Sequence, residues 1–254
     1  MSIVAYIPVR MDSTRFPGKP LAPILGISMV EHVFQRTRLC NALDGVCVVT
    51  PDDEIREVVE GFGGRVVMTS PDHQRASDRV AEAMESVPAD IAVMVQGDEP
   101  MVHPDMIAAA VAPFTEDGNV GCVNLVQRIE SEEEFEDTNT IKVVMDRKGN
   151  ALYFSRKPIP FRREDAIPGL HRYKQVCIIP FTRDALLLFS RLEPTPLEVA
   201  ESVDMMRFLE HGYDVKLVES PFPTHAVDTP DDLRRVEELL RNDPLLAKYK
   251  RETP

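Results

Sequence analysis

The first half of the chain alternates short apolar runs with longer amphipathic stretches, and this alternation constrains the fold more than any other feature. Residues 3–7, 46–49 and 91–95 are almost wholly apolar, which is typical of strands buried on both faces of a parallel sheet. Between them, apolar residues such as Ile55 and Val59 recur at helical spacing. The alternation predicts an α/β fold, a mostly parallel sheet with helices on both faces.

The pattern changes in the second half of the chain. A turn-rich segment, residues 146–150, separates the apolar runs 141–145 and 151–154, which predicts a β-hairpin. Residues 173–181 are predicted to form a further strand and residues 197–211 a helix. We therefore expect a single domain whose second half extends the sheet and adds a hairpin-bearing lobe.

Charge and cysteine content exclude several classes of function. The formal net charge of -13 over 254 residues argues against nucleic acid or an anionic membrane as the main partner. No apolar run reaches the roughly 18 residues of a membrane span, and the N-terminus lacks the pattern of a signal peptide. The four cysteines are far apart in the sequence, which favours buried thiols in a reducing compartment. We expect a cytoplasmic protein.

The loop after the first apolar run concentrates positive charge in an otherwise acidic chain. Arg10, Arg15 and Lys19 lie within ten residues that contain a single acid, Asp12. In a doubly wound sheet this loop falls at the carboxyl ends of the strands, where ligands bind. Three cations there can neutralise a triphosphate. The loop matches neither the Walker pattern nor the GxGxxG fingerprint, and a solvated loop with surface ion pairs is the alternative.

The loop sequence RMDSTRFPGKPL, residues 10–21, resembles the nucleotide-binding loop of sugar nucleotidyltransferases. The resemblance is most specific to the 3-deoxy-manno-octulosonate cytidylyltransferases, and it runs nearly end to end. Further segments similar to that family's motifs are residues 63–74, 95–101, 151–156, 196–201 and 227–233.

The resemblance implies transfer of CMP from CTP to an acidic sugar, with release of pyrophosphate. The expected acceptor is 3-deoxy-manno-octulosonate, destined for lipopolysaccharide or capsule. A different sugar acid or a phosphonate acid is the first alternative. A catalytically silent nucleotide-binding protein is the second, against which the retention of Lys19, Asp98 and Asp228 argues. Family members tend to be homodimers, and residues 197–209 carry more apolar side chains than one buried stripe needs, although a doubly buried helix explains them equally well.

Two aspartates are the expected metal ligands. Asp98 follows a buried apolar run, and Asp228 precedes a helix start at Thr229 and Pro230. Two carboxylates, together with phosphate oxygens and waters, suit Mg²⁺, and the resemblance assigns both residues to that metal. The alternatives are a turn-capping role for Asp98 and a helix-capping role for Asp228.

The resemblance also divides the remaining site residues between the two substrates. Residues 1–125 are expected to form the nucleotide-binding half of the single domain 1–254, and residues 126–254 the acceptor-binding and dimerisation half. The expected catalytic residues are Arg10, Arg15, Lys19 and Asp98. The expected nucleotide contacts are Pro8, Arg10, Ser13, Thr14, Arg15, Lys19, Gln74, Ser77, Gln96 and Gly97. The expected acceptor contacts are Gln96, Arg156, Gln175, Glu198 and Glu201.

The chain departs from the family pattern at two places. Arg75 and Ala76 stand where the family usually has Ser and Gly. Gln175 replaces a His that contacts the sugar acid, and Cys177 replaces a Gly. These changes reshape the acceptor side and leave the phosphate and metal residues intact. One hypothesis is therefore ordinary use of CTP with a shifted acceptor preference; the alternative is that neighbouring side chains compensate.

Overall fold

The computed structural model describes residues 1–12, 16–116, 118–161, 163 and 170–250. The strands of this part of the chain are β1 (Ile3–Pro8), β2 (Pro23–Ile24), β3 (Ile27–Ser28), β4 (Gly45–Thr50), β5 (Val66–Met68), β6 (Ile91–Val95), β7 (Val123–Arg128), β8 (Lys142–Met145), β9 (Ala151–Ser155), β10 (Tyr173–Val176), β11 (Ile178–Thr182) and β12 (Lys216–Glu219). The α-helices are α1 (Met29–Arg38), α2 (Asp53–Gly61), α3 (Ala76–Ser86), α4 (Pro104–Glu116), α5 (Glu132–Glu136), α6 (Arg183–Phe189), α7 (Pro196–Glu201), α8 (Met205–Glu210) and α9 (Pro230–Leu240).

The first sheet has the strand order β11-β6-β1-β4-β5. Strands β6, β1, β4 and β5 are mutually parallel, and β11 joins the edge antiparallel to β6. Every residue of β1 and β6 is buried, because two apolar clusters cover the two faces of the sheet. The predicted α/β fold with a mostly parallel sheet is therefore confirmed.

The second sheet has the order β12-β7-β10-β8-β9. Strands β8 and β9 form the hairpin that the sequence predicts around residues 146–150. The two sheets meet where Cys122, the residue before β7, pairs with Phe181 of β11. The expected boundary between the two halves, at residue 125, falls inside β7.

The sequence analysis predicts one strand over residues 173–181, and this prediction is wrong, because the segment forms two strands. Strand β10 pairs with β7 and β8 in the second sheet, whereas β11 pairs with β6 in the first. Cys177 lies at the crossing between the sheets, where its carbonyl accepts a hydrogen bond from the backbone N–H of Gln96 at 3.1 Å. Periodicity does not reveal this crossing, because residues 176–181 form one continuous apolar run that spans it.

The single helix expected over residues 197–211 is also wrong. The segment forms α7 and α8, separated by a break at Ser202, whose φ of 53° is left-handed. A left-handed residue with a side chain ends a helix. The break places residues 202–204 in the wall of the cavity described below.

The last described residues pack back onto α1. Leu245 and Leu246 are buried, and the Tyr249 hydroxyl lies 2.8 Å from Nδ1 of His32. The Arg36 guanidinium donates to Asp243 at 2.7 Å. Among the described residues, none of the helices combines the length and apolar content that crossing a membrane requires.

Candidate active site

A cavity of about 400 Å³ opens at the carboxyl edge of the first sheet, beside its junction with the second. It is bounded by the segment after β1, the segment before α3, the end of β6, the β10–β11 crossing and the α7–α8 break. The lining residues are Pro8, Val9, Arg10, His73, Gln74, Arg75, Ala76, Arg79, Met94, Gln96, Ile141, Gln175, Cys177, Ile179, Ser202, Val203 and Asp204. Residues from both halves of the sequence therefore enclose one space.

Lys19 joins the two predicted metal ligands at this edge. Its ammonium lies 2.8 Å from Oδ2 of Asp98 and 3.3 Å from Oδ1 of Asp228, and it donates to the Val227 carbonyl at 2.9 Å. Burial favours the neutral amine, but the two carboxylates outweigh it, and the pKa of Lys19 is raised. The ammonium therefore stays charged, and it neutralises a pair of carboxylates that would otherwise repel each other.

Local structure around Asp228 explains its position. Thr229 is the N-cap of α9, and its hydroxyl accepts from the backbone N–H of Asp232 at 3.2 Å. The Asp232 carboxylate in turn accepts from the backbone N–H groups of Asp228 and Thr229. Because this capping box satisfies the helix end without the Asp228 side chain, that carboxylate is available to face Lys19.

Gly97 allows β1 and β6 to bring their following loops together. A Cβ on residue 97 would lie 2.0 Å from Cγ1 of Val9 and 3.1 Å from the Pro8 carbonyl. Only glycine permits this approach. Gly97 therefore sets the separation between the loop after β1 and Asp98, although its own position is against Val9 and it does not line the cavity.

Cys177 lines the cavity and lies within electrostatic reach of the Asp98 and Asp228 carboxylates. Burial raises the pKa of its thiol well above the ordinary range, and the charges of Glu99, Asp98 and Asp228 raise it further. The thiol is therefore protonated and inert as a nucleophile. The other three cysteines, Cys40, Cys47 and Cys122, are buried, as their apolar surroundings predict.

Hydrogen bonds and an ion pair anchor the segment before α3. Arg79 is buried, and it donates to the Thr69 hydroxyl at 2.6 Å and to the Ser70 carbonyl at 3.0 Å. His73 pairs with the carboxylate of Glu82, which also accepts from the Ser70 backbone N–H. These contacts fix the loop that presents Gln74 to the cavity.

Arg75 bridges from this segment to the α7–α8 break. Its guanidinium lies 3.3 Å from Glu198, 3.5 Å from Asp204 and 3.3 Å from the Ser202 hydroxyl. Ser77, predicted as a nucleotide contact, instead donates its buried hydroxyl to Asp204 at 2.7 Å. Burial raises the pKa of Asp204, which the Ser77 hydrogen bond and the Arg75 charge partly offset.

Glu198, predicted as an acceptor contact, is fully buried and outside the cavity lining. Arg207 contacts both of its carboxylate oxygens, at 2.7 and 2.8 Å. The same carboxylate completes the N-terminal capping box of α7 through the Thr195 backbone N–H. Its observed contacts therefore orient Arg75 and the α7–α8 break.

Arg156 and Glu201 form one hydrogen-bonded unit. The Glu201 carboxylate accepts from the Tyr153 and Ser155 hydroxyls at 3.1 Å each and from the Arg156 backbone N–H at 2.8 Å. The Arg156 guanidinium donates to the Glu201 carbonyl at 2.6 Å and the Thr138 carbonyl at 3.1 Å. Both predicted acceptor residues therefore come together, and both lie outside the cavity lining.

Gln175 lines the cavity and is anchored from behind. Its amide donates to Oδ1 of Asn124 at 2.6 Å, and the buried Asn124 donates to the Val176 and Leu125 carbonyls. The anchor fixes which way the amide of Gln175 points. The sequence analysis assigns Asn124 no role, although a polar residue between the apolar Val123 and Leu125 is a signal of one.

The predicted site is thus brought together in part. Pro8, Arg10, Gln74, Gln96 and Gln175 line the cavity. Lys19, Asp98 and Asp228 form the adjacent cluster. The predicted residues Ser13, Thr14 and Arg15 lie outside the described residues. The structure adds Arg75, Arg79, His73, Ser202 and Asp204 to the cavity lining.

The donor set at Asp98 and Asp228 fits a magnesium ion. Both carboxylates converge on one cationic group, so that their combined field favours a cation between them. Within the described residues there is no cluster of three or more His, Cys, Asp or Glu side chains able to hold a metal. A two-carboxylate set agrees with Mg²⁺, which takes its other ligands from waters and substrate phosphates.

Comparison with known proteins agrees with this geometry. A family model described as cytidylyltransferase matches residues 4–217. A 3-deoxy-manno-octulosonate cytidylyltransferase of Geobacter metallireducens is 46% identical over 249 residues, 94% of this chain and 98% of the relative. Its counterpart from Geobacter sulfurreducens is 45% identical, covering 95% of this chain and all of the relative.

A solved structure is similar over nearly the whole fold. It is that of CMP:2-keto-3-deoxy-manno-octonic acid synthetase complexed with CTP, with a TM-score of 0.88 and 36% identity over 95% of this chain and 99% of that one. Fold, site and family model define the class, a cytidylyltransferase. Within that class, the chain belongs to the family of 3-deoxy-manno-octulosonate cytidylyltransferases.

Proposed function

We propose that this enzyme transfers CMP from CTP to 3-deoxy-manno-octulosonate, giving the CMP-sugar and pyrophosphate, for lipopolysaccharide or capsule synthesis. The observation that carries the proposal is the convergence of Asp98 and Asp228 on Lys19, beside a cavity enclosed by both halves of the chain. The names of the relatives support the choice of substrates. The halves 1–125 and 126–254 then correspond to CTP and acceptor binding.

On the nucleotide side, the reaction depends on positioning and charge. An acceptor oxygen attacks the α-phosphorus of CTP in line, and no covalent enzyme intermediate is needed. Arg10 enters the cavity, where its guanidinium is available to a phosphate. Ser13, Thr14, Arg15 and Lys19 complete the proposed phosphate contacts, and Gln74 and Gln96 complete those to the nucleoside.

Asp98 and Asp228 would hold Mg²⁺. Bound there, the metal would polarise the phosphate oxygens and act as a template for the two substrates. Lys19 already neutralises both carboxylates, and it keeps them at a fixed separation when no metal is bound.

On the acceptor side, Gln96 and Gln175 contact the hydroxyl groups of the sugar acid. Arg156 provides the charge that attracts the acceptor carboxylate, and Glu201 holds the Arg156 side chain in place. We now assign Glu198 a positioning role through Arg75 rather than direct contact, because its carboxylate is buried and engaged by Arg207.

A homodimer in the cytoplasm completes the proposal. Leu152 on the edge strand β9 is 60% exposed, and Leu197 and Val199 on α7 are 38% and 63% exposed. These elements are neighbours, because Tyr153 of β9 donates to Glu201 of α7. An exposed apolar group of this kind is typical of an interface. Light scattering of the parent and of Leu152→Glu tests it, and a monomeric parent would refute it.

The activity is tested by pyrophosphate release from CTP with Mg²⁺ and a panel of acids. The panel contains 3-deoxy-manno-octulosonate, related sugar acids and small phosphonates. We expect release with 3-deoxy-manno-octulosonate and formation of its CMP derivative. If pyrophosphate is released only with a different acid, that acid is the acceptor. If CTP binds and no acid leads to pyrophosphate release, the chain is a silent binding protein.

A further inference from the structure

Lys142 is a buried cation that the proposed reaction does not use. Its side chain, on β8, has no exposed surface, and within the part of the chain that the structure describes its ammonium is bonded to backbone carbonyl oxygens. Burial lowers the pKa of Lys142, and the charges of Asp137, Glu136 and Glu201 only partly offset it; burying an ammonium in this way is costly unless its N–H groups are all bonded. A charge kept in such a place needs a reason beyond stability.

All three N–H groups of Lys142 donate to backbone carbonyls. The acceptors are Asp137 at 2.7 Å, Thr140 at 2.6 Å and Arg156 at 2.6 Å. Asp137 and Thr140 belong to the loop between α5 and β8, whereas Arg156 follows β9. The ammonium therefore ties together the α5–β8 loop and the segment after β9.

The tie acts on the residue proposed to attract the acceptor carboxylate. Lys142 fixes the carbonyl of Arg156, and Glu201 fixes its backbone N–H and Nε. The loop that Lys142 holds also provides the Thr138 carbonyl, which accepts from Nη1 of Arg156 at 3.1 Å. Lys142 thus fixes the main chain of Arg156 and the loop on which its guanidinium rests.

The same residue supports the cavity wall. Ile141, its neighbour in the chain, lines the cavity, and the Ile141 carbonyl accepts from the backbone N–H of Gln175 at 2.8 Å. A shift of Lys142 would therefore move Arg156 and the Gln175 strand together. The CTP-side residues Arg10 and Gln74 are on other elements and have no contact with it among the described hydrogen bonds.

We propose that Lys142 is a positioning residue for the acceptor, a buried ammonium that sets the orientation of Arg156 toward the acceptor carboxylate. This inference rests on the proposed function, because it takes Arg156 as the acceptor's cationic contact. It assigns Lys142 no contact with either substrate. Its loss should therefore act on one substrate and leave the other unaffected.

The test compares Lys142→Met with Lys216→Met. Lys216 is a matched control, since it is a strand lysine that also donates to a backbone carbonyl, that of Lys148, in the hairpin turn. For Lys142→Met we expect kcat/KM for 3-deoxy-manno-octulosonate to fall by about 10- to 100-fold. The KM and the binding affinity for CTP should stay within about twofold. Lys216→Met should leave the acceptor kcat/KM and the KM and affinity for CTP unchanged.

A double-mutant cycle with Arg156 separates positioning from a general structural role. If Lys142 acts mainly through Arg156, Lys142→Met should have a much smaller effect on acceptor kcat/KM in an Arg156→Ala protein than in the parent, the remainder coming from the Gln175 strand. Equal losses for CTP and acceptor, or additive effects in the cycle, would overturn the inference. Should Lys142→Met not fold, Lys142→Gln, which keeps two donors without the charge, takes its place in the same comparisons.

The cycle also distinguishes failure of this inference from failure of the proposed function. A parent enzyme that releases no pyrophosphate with 3-deoxy-manno-octulosonate refutes the proposed function. An active parent in which Arg156→Ala lowers acceptor kcat/KM but Lys142→Met does not refutes only the role of Lys142. An Arg156→Ala protein with unchanged acceptor kinetics overturns the assignment of Arg156, and the positioning role with it.

Discussion

The Lys19 ammonium lies 2.8 Å from Oδ2 of Asp98, a residue 79 positions later in the chain. The parallel pairing of β1 with β6 makes this contact possible, because the loops that follow both strands leave the same edge of the sheet. Asp228 approaches the pair from the start of α9. Three distant segments thus place one cation and two carboxylates within hydrogen-bond reach.

Replacing Asp98 by Asn should nearly abolish turnover and leave the protein folded. The substitution removes a negative charge proposed to bind Mg²⁺ without changing side-chain volume, and we expect kcat to fall by about 10²–10³-fold. Asp228→Asn should behave alike with little loss of stability, because Thr229 and Asp232 still cap α9. Pyrophosphate release at limiting Mg²⁺ is the measurement.

Asp231→Asn is the matched control for both variants. Asp231 lies in the first turn of α9 and its side chain is 80% exposed. It should retain parent kinetics. Near-normal activity of a folded Asp98→Asn protein at limiting Mg²⁺ would remove Asp98 from the metal site.

Lys19→Met should lower the rate by tenfold or more, since a charge-assisted contact in a partly buried site contributes about 1.5–3 kcal/mol. The variant also leaves Asp98 and Asp228 facing each other without a cation. Added Mg²⁺ should therefore raise the Tm of Lys19→Met more than that of the parent. Calorimetry with and without Mg²⁺ checks this, and equal shifts would mean that the two carboxylates do not share a metal.

Much of this arrangement could be predicted from the sequence. The parts that could not be predicted have a common physical cause. The apolar periodicity predicts the parallel strands, and the motif resemblance predicts the cluster of Lys19, Asp98 and Asp228. Hydrophobic patterning does not reveal which sheet a buried strand joins, so the crossing at Cys177 was missed. The helix break at Ser202 was missed because a serine in left-handed backbone has no pattern signal.

Side-chain partners were the least predictable part of the site. The buried roles of Ser77 and Glu198 depend on Asp204 and Arg207, which reach them from another helix. Such contacts follow from tertiary packing and have no local sequence spacing. Lys142, by contrast, carried a usable signal, a lysine within an otherwise apolar strand.

Gly97→Ala should destabilise the protein and displace the cavity wall. The new Cβ would overlap Cγ1 of Val9, and overpacking of this kind costs about 1–3 kcal/mol. The second substitution Val9→Ala removes the overlapping methyl groups. The double variant should therefore be more stable than Gly97→Ala alone, as measured by urea unfolding. If the two substitutions have purely additive costs, Val9 is not what requires glycine at position 97.

Stability should fall with rising pH because of Glu99. This carboxyl is buried and accepts from the Thr224 hydroxyl at 2.7 Å; burial and the neighbouring Asp98 charge raise its pKa from the ordinary value of 4.5 to about 7. An acid whose pKa is raised by folding stabilises the folded state below pH 4.5, and this contribution is lost as pH rises to about 7. The loss is of the order of 3 kcal/mol.

Glu99→Gln tests this pH dependence in metal-free protein. An amide cannot ionise, and its oxygen can still accept from Thr224. Between pH 4.5 and 8, the free energy of unfolding of the variant should decrease less than that of the parent. Parallel curves for the two proteins would show that Glu99 does not titrate in that interval.

The last prediction concerns the acceptor and Gln175. Its amide is held by Asn124 at 2.6 Å while its side chain lines the cavity. A neutral imidazole can donate and accept in the same way, so Gln175→His should keep kcat/KM for 3-deoxy-manno-octulosonate within about threefold. Gln175→Leu cannot, and should lower it about tenfold, the equivalent of one hydrogen bond. CTP kinetics should be unchanged in both variants, because the substitutions spare Lys19 and Asp98.

Steady-state assays of both variants against related sugar acids and phosphonates test this prediction. If the histidine variant changes the preferred acid, position 175 determines specificity; if the leucine variant retains parent kinetics, Gln175 is a wall residue without a substrate contact.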